Sequence, residues 1–225
     1  MCEWKLRETY VPANLKIMWS STGGDQTVKE IVATASSVRE GINRLLGYFQ
    51  ARCPHPIWNK MAQLDYDQDM WNIHAWLDAQ LPLPDAVEVL WFAFWDVTRG
   101  FDLRGSSTWS KDAEDWEWTY SDDFRGESYA SPVLNQTLTL AREADDPTIF
   151  GRPENGVWDL TDYLLTIGYV GLVPAHIFRT GDAKRLLGER RERWIVTGFP
   201  DAVYGIIVGR LTAQGFEPLA NGRLR

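Results

Sequence analysis

The stretch DAEDWEWTYSDDF, residues 112–124 and here called the acidic segment, combines charge and aromatic rings in a way that suits molecular recognition. It holds six carboxylates and no Lys or Arg. Carboxylates speed the approach of a basic partner, and Trp and Tyr rings often anchor protein interfaces. The acidic segment therefore predicts a binding site for a positively charged partner. The predicted binding residues are Asp112, Glu114, Asp115, Glu117, Asp122, Asp123, Trp118 and Tyr120.

The same segment is also compatible with a surface hairpin whose rings face inward. Period-two alternation over residues 115–123 places Trp116, Trp118 and Tyr120 on one face of a strand, with Asp115 and Glu117 on the other. On this interpretation the rings hold the sheet and the carboxylates are left for a partner.

Other groups of polar residues have types and spacings that could carry chemistry. DYDQD (65–69) begins like a calcium loop, but an EF-hand requires Gly and Glu where this chain has Met70 and Trp76. An Asp-rich helix start, favoured by the helix dipole, explains the cluster without a metal. His74 and Asp78 lie one helical turn apart and can pair or share a metal, although a structural or surface role is favoured. The sequence thus predicts no catalytic residue, no metal and no cofactor.

Two alternatives to a binding site remain open. A hydrolase with paired carboxylates is one, and Asp145, Asp146 and Glu154 flank a long polar loop of the kind that carries function. A generic protein-interaction domain, in which the aromatic surplus supports an oligomer, is the other. The sequence does not decide the oligomeric state.

Charge narrows the class of partner. The formal net charge is −8, which disfavours nucleic acid and anionic membranes as partners. From Arg179 onward nine Lys or Arg stand against five Asp or Glu, and KRLLGERRERW (184–194) indicates a solvated helix face with local ion pairs or a segment that folds back on the acidic one. The start MCEWKLRE is charged almost at once, and the longest apolar runs are too short for a membrane span. A cytoplasmic protein is the expectation.

Hydrophobic periodicity indicates the elements that would position these residues. Helices are predicted over 28–49 after an Asp25 cap, over about 67–80, over 131–144 with Ser131 as N-cap, and over 158–178. CPHP (53–56) ends the first helix. Strands are predicted over 87–97, 107–111 and 115–123, with a turn at 100–106, followed by two strands joined at 200–202.

These elements predict an α+β fold in one domain covering residues 1–225. N-terminal helices come first, then a central antiparallel β-meander, further helices and a C-terminal β-hairpin. A helical unit of about 1–85 and a sheet-containing unit of about 86–225 would share one core.

The order of short motifs resembles a known family. Between residues 44 and 134 the chain has a helix with RLLGYF, a Pro-rich break, a helix with WLDAQL, and then LWFAFWD, AEDWEW and YASPVL. The similarity extends over about residues 40 to 210. This order resembles small bacterial immunity-type proteins encoded beside polymorphic toxins of contact-dependent and type VI secretion systems. The resemblance implies a non-enzymatic inhibitor that binds one cognate toxin domain, often at its active site. Such toxins frequently have basic clefts, which would suit an acidic partner.

Overall fold

The helices of the N-terminal part pack as a layer against the rest of the chain. The computed structural model describes residues 24–95, 99–108, 123–146, 148, 156–199 and 205–219. In this layer the helices are α1 (Gly24–Thr34), α2 (Val38–Arg52), α3 (Ile57–Ala62) and α4 (Tyr66–Ala79).

The single helix predicted over 28–49 is wrong, because the chain breaks between α1 and α2. The Ser37 hydroxyl accepts the Glu40 N–H at 3.1 Å, and the Glu40 carboxylate accepts the Ser36 N–H at 3.0 Å. The Ser37 hydroxyl caps the start of α2, and the Glu40 carboxylate in its first turn holds the residue before the cap. Asp25 lies inside the first turn of α1, one residue after the helix begins at Gly24. The predicted stop at CPHP is confirmed, since α2 ends at Arg52.

A six-stranded mixed sheet forms the second layer. The strand order is β3-β2-β1-β4-β5-β6, and neighbours are antiparallel except for the parallel pair β1–β4. The predicted meander and hairpin therefore join into one sheet, and the α+β class is confirmed. The strands are β1 (Val89–Trp95), β2 (Gly100–Ser106), β3 (Phe124–Ala130), β4 (Glu192–Gly198), β5 (Gly205–Thr212) and β6 (Gly215–Pro218).

The second and third strands of the meander differ from the prediction. GFDLRGS was predicted as a turn but forms β2, whose residues Phe101 and Leu103 are fully buried. FRGESYA, for which no element was predicted, forms β3. Ser107 and Thr108 lie after β2 rather than in a strand, and Asp123 precedes β3. Residues 109–122 of the two other predicted strands lie outside the described residues.

The later helices complete the helical part of the fold. Helix α5 (Pro132–Ala144) begins after the predicted N-cap Ser131. A short turn α6 (Val157–Asp159), a π-helical segment Leu160–Leu165 and α7 (Thr166–Thr180) follow as one helical stretch, and α8 (Ala183–Leu187) precedes β4. Helix α7 is buried almost all round and packs on both layers. A Cβ at Gly171 would stand 3.0 Å from both Val32 and Ile206, so glycine permits this close approach.

Strand alternation gives the sheet two apolar faces. Leu90, Phe92 and Phe94 join the main core with the helices, while Val89, Trp91 and Ala93 pack on the opposite face with residues of β4 and β5. Such burial on both faces explains why β1 has a continuous apolar sequence. No helix in the described part of the chain has the length and apolar character needed to span a membrane.

Candidate functional site

Of the acidic segment, the structure describes the last two residues, Asp123 and Phe124. The exposed Asp123 carboxylate accepts both the backbone N–H and the hydroxyl of Ser107, each at 2.6 Å. These hydrogen bonds hold the pKa of Asp123 below its usual value. The Asp123 N–H also donates to the Gly105 carbonyl at 3.0 Å, which ties the two ends of the β2–β3 connection together. The remaining predicted residues lie outside the described residues: Asp112, Glu114, Asp115, Glu117, Trp118, Tyr120 and Asp122.

A second polar group, which the sequence did not predict, lies in the core. Asp69 is 2% exposed on α4, and three hydroxyls donate to its carboxylate. Tyr129 donates to one oxygen at 2.6 Å, while Ser131 at 2.6 Å and Tyr169 at 2.5 Å donate to the other. These four residues are here called the Asp69 cluster. They join α4, β3, the N-cap of α5 and α7 at one point.

The surroundings keep the donors of the Asp69 cluster protonated. Burial, and then the Asp69 carboxylate, raise the pKa of Tyr169 well above its ordinary value. Burial and the hydrogen bond to Asp69 likewise raise the pKa of Tyr129. A buried carboxylate with three charge-assisted hydrogen bonds is stabilised in place and is shielded from solvent. The geometry supports a structural role for the Asp69 cluster.

The acidic residues at the start of α4 have three separate tasks. Asp65 is the N-cap and accepts the Gln68 N–H at 3.1 Å, Asp67 forms an ion pair with Arg39 at 3.1 Å, and Asp69 points into the core. The helix-start explanation therefore fits Asp65, whereas Asp67 and Asp69 have partners elsewhere in the chain. Among the described residues no group of three or more His, Cys, Asp or Glu side chains could hold a metal.

His74 of α4 and His176 of α7 lie beside each other. The sequence allowed a His74–Asp78 pair and favoured a structural or surface role. In the structure Asp78 pairs with Arg185 at 2.9 Å, and the His74 ring lies edge-on to the His176 ring with their centroids 6.4 Å apart. Burial, then His74 and Arg179, lower the pKa of His176.

The polar loop considered for a hydrolase uses its described carboxylates locally. Asp146 accepts the N–H and hydroxyl of Thr148 at 2.9 and 2.8 Å, and these bonds lower its pKa. Asp145 accepts the Trp158 N–H at 3.4 Å. Glu154 lies outside the described residues. The described carboxylates of this loop therefore stabilise local backbone geometry.

Helix α4 also anchors β3, whose pairing with β2 contains a β-bulge. The Trp76 indole donates to the Glu127 carbonyl at 2.8 Å, and the Gln80 amide oxygen accepts the Glu127 N–H at 2.9 Å. A Cβ at Gly126 would stand 2.7 Å from that amide oxygen, so glycine permits the approach. The inner face of α4 is thus fully engaged, while its outer face carries Trp71 with 68% of its surface exposed.

The sequence contained signals for both unpredicted features of α4. Tyr66, Met70 and Ile73 trace the buried face, and Asp69 lies in phase with them. A carboxylate in the apolar phase of a helix indicates a buried polar partner set. Trp71 lies out of that phase, which predicts an exposed ring. The partners of Asp69 lie 60 to 100 residues away, and helical periodicity cannot identify them.

The basic stretch 184–194 contacts distant parts of the chain, so the prediction of local ion pairs along a helix is wrong. Arg185 pairs with Asp78, and Arg190 pairs with Glu88 at 2.9 Å. Arg193 is fully buried and donates to three backbone carbonyls. Those carbonyls belong to Pro84, Val87 and Leu187.

Comparison with known protein families, curated proteins and solved structures finds no match to this chain.

Proposed function

We propose that this chain is a cytoplasmic, non-enzymatic immunity-type protein that binds and inhibits a cognate bacterial toxin domain through the acidic segment. The observation that carries the proposal is Asp123, an exposed carboxylate held by Ser107 with a lowered pKa at the root of the segment. The net charge of −8 and the five further carboxylates of the segment extend this acidic character. No cofactor is required for such a role.

The chemistry of inhibition follows from charge and ring content. Carboxylates would steer the protein toward a basic cleft and raise the association rate. The rings of Trp118 and Tyr120 would provide anchors within the contact. A toxin that acts on nucleic acids or nucleotides needs cationic side chains in its cleft. The carboxylates of the acidic segment would pair with those side chains in place of the phosphates of the toxin's substrate.

The test uses the toxin domain encoded beside this gene, with growth protection on co-expression as the first readout. A triple variant, Glu114→Gln with Asp115→Asn and Glu117→Gln, should associate with that domain at least tenfold more slowly at low salt. The logarithm of its association rate should also depend less steeply on ionic strength.

A matched control removes three exposed carboxylates elsewhere: Glu30→Gln with Glu143→Gln and Glu189→Gln. This control changes the net charge equally and should keep most of the parent rate. Equal slowing in both variants would assign the effect to net charge and overturn the acidic segment as the site. Failure of the parent protein to bind or protect against the domain would overturn the function itself.

A further inference from the structure

The outer face of α4 differs from the rest of the described surface. Trp71 is 68% exposed, and it is the one large apolar side chain that is exposed among the described residues. A single exposed apolar residue is ordinary in a folded protein, so the neighbours of Trp71 decide its meaning.

The neighbours along α4 leave the Trp71 ring exposed and place two carboxylates on the same face. Asp67 and Ala75 lie one helical turn before and after Trp71, and Asp78 lies two turns after it; all are exposed. The Ala75 side chain is a single methyl group, so a partner can lie flat beside the indole. Of the three Asp of α4, Asp67 and Asp78 lie on this face, whereas Asp69 is buried in the core.

The two flanking carboxylates are oriented by ion pairs yet remain accessible. Asp67 keeps 78% of its side chain exposed beside Arg39, which also donates to the Ala62 and Leu64 carbonyls and so faces inward. Asp78 keeps 57% exposed beside Arg185. Each carboxylate has further lone pairs available to a donor from another molecule.

We propose that this face binds a segment of a protein partner that carries cationic side chains at both ends of a short apolar stretch. One cation would lie over the Trp71 indole and reach Asp67, and the other would pair with Asp78. Eleven residues of helix place these carboxylates about 16 Å apart, which an extended segment spans in about five residues. A second copy of this chain fits poorly, because two molecules with a charge of −8 repel each other. The proposed surface lies on α4 and does not depend on a toxin partner.

The experiment titrates the protein, labelled with ¹⁵N at its indole nitrogens, with the peptide acetyl-Arg-Leu-Ala-Leu-Ala-Arg-amide. The Trp71 signal is identified by its loss in Trp71→Phe. It should shift saturably, and Trp71→Ala should weaken binding at least fivefold when the affinity of each variant is measured by calorimetry. Asp67→Asn with Asp78→Asn should weaken binding at least threefold, whereas Glu30→Gln with Glu143→Gln should not. Trp71 and both aspartates are exposed and their ion pairs lie at the surface, where each contributes little, so the urea midpoints of these variants should lie close to that of the parent.

Each other outcome would overturn the proposal. Equal binding of acetyl-Asp-Leu-Ala-Leu-Ala-Asp-amide would show an apolar contact without charge selection. Shifts confined to other indoles would place the peptide elsewhere. The acidic segment attracts the same peptide, so the titration is repeated in the triple variant Glu114→Gln, Asp115→Asn and Glu117→Gln. Loss of the Trp71 shift in that variant would contradict a separate surface, and its retention would support one whether or not a toxin partner exists.

Discussion

At the scale of single residues, one carboxylate organises more of this molecule than any predicted site residue in the described ranges. The Asp69 carboxylate accepts hydrogen bonds from the hydroxyls of residues that lie 60, 62 and 100 positions away in the sequence. Tyr66 packs edge-on against Tyr169 at 5.5 Å and adds a further buried phenol beside the Asp69 cluster. Burial in the first place raises the pKa of Tyr66 as well as that of Tyr169. These phenols therefore connect stability to alkaline pH.

The expected pH dependence has a definite sign. Unfolded tyrosine loses its proton near pH 10, whereas folded Tyr66 and Tyr169 keep theirs. The unfolded state thus binds fewer protons above pH 10, and the free energy of unfolding falls as pH rises. Each of the two phenols contributes up to about 1.4 kcal/mol per pH unit. Urea unfolding between pH 8.5 and 11 should show a flatter decline for Tyr66→Phe with Tyr169→Phe than for the parent. Parallel declines would contradict the assigned pKa shifts.

At the scale of elements, Ser37 and Ser131 show how similar caps can differ in their tasks. Each hydroxyl accepts an N–H of the first helical turn at 3.1 Å. The Ser131 hydroxyl also donates to Asp69, and Ser131 is 2% exposed. The chain therefore contains a cap that acts locally and a cap that also belongs to the core.

The two caps should respond differently to the same substitution. Ser37→Ala should lower the free energy of unfolding by about 1 kcal/mol through loss of the cap. Ser131→Ala should lower it by about 3 kcal/mol, because a buried charge also loses a hydrogen-bond donor. Urea unfolding at pH 7 measures both. Equal losses would show that the Ser131–Asp69 hydrogen bond contributes little.

Local patterns predicted the elements that local chemistry determines. Ser131 and Pro132 identify the start of α5, and the apolar run 89–95 identifies β1. β3 was missed because FRGESYA is polar and mostly exposed at the sheet edge, where no apolar alternation marks a strand. β2 was missed because its glycines suggest a turn. The acidic segment stays a prediction, supported in the described chain by Asp123 alone.

At the scale of the whole molecule, Arg193 connects the linker after the N-terminal helices to the C-terminal part of the sheet. Its guanidinium, on β4, donates to carbonyls in residues 84–87 and at Leu187. Burial, and then nearby Arg190, lower its pKa to about 10, so it remains charged at neutral pH. The planar fork of five N–H donors suits several acceptors at once, which a lysine ammonium cannot match.

Loss of the Arg193 guanidinium should lower the stability of the protein. Arg193→Lys should lower the free energy of unfolding by about 3 kcal/mol, since it leaves buried carbonyls without donors and an ammonium in their place. Arg191→Lys, at an exposed position two residues away, should change it by less than about 0.5 kcal/mol. Thermal and urea unfolding of both variants test this difference. A tolerated Arg193→Lys would show that water or other donors satisfy the carbonyls.

The parallel pairing of β1 with β4 has a consequence for synthesis on the ribosome. Val89 pairs in register with Trp194, which is made more than a hundred residues later. At ribosomal speeds of about 5–20 residues per second, β1 waits roughly 5–20 seconds for that neighbour. During this interval a strand with two apolar faces has an unpaired edge, the kind of surface that aggregates or recruits chaperones. We expect pauses in translation between β1 and β4 to lower the yield of native protein, whereas pauses after β5 should have little effect.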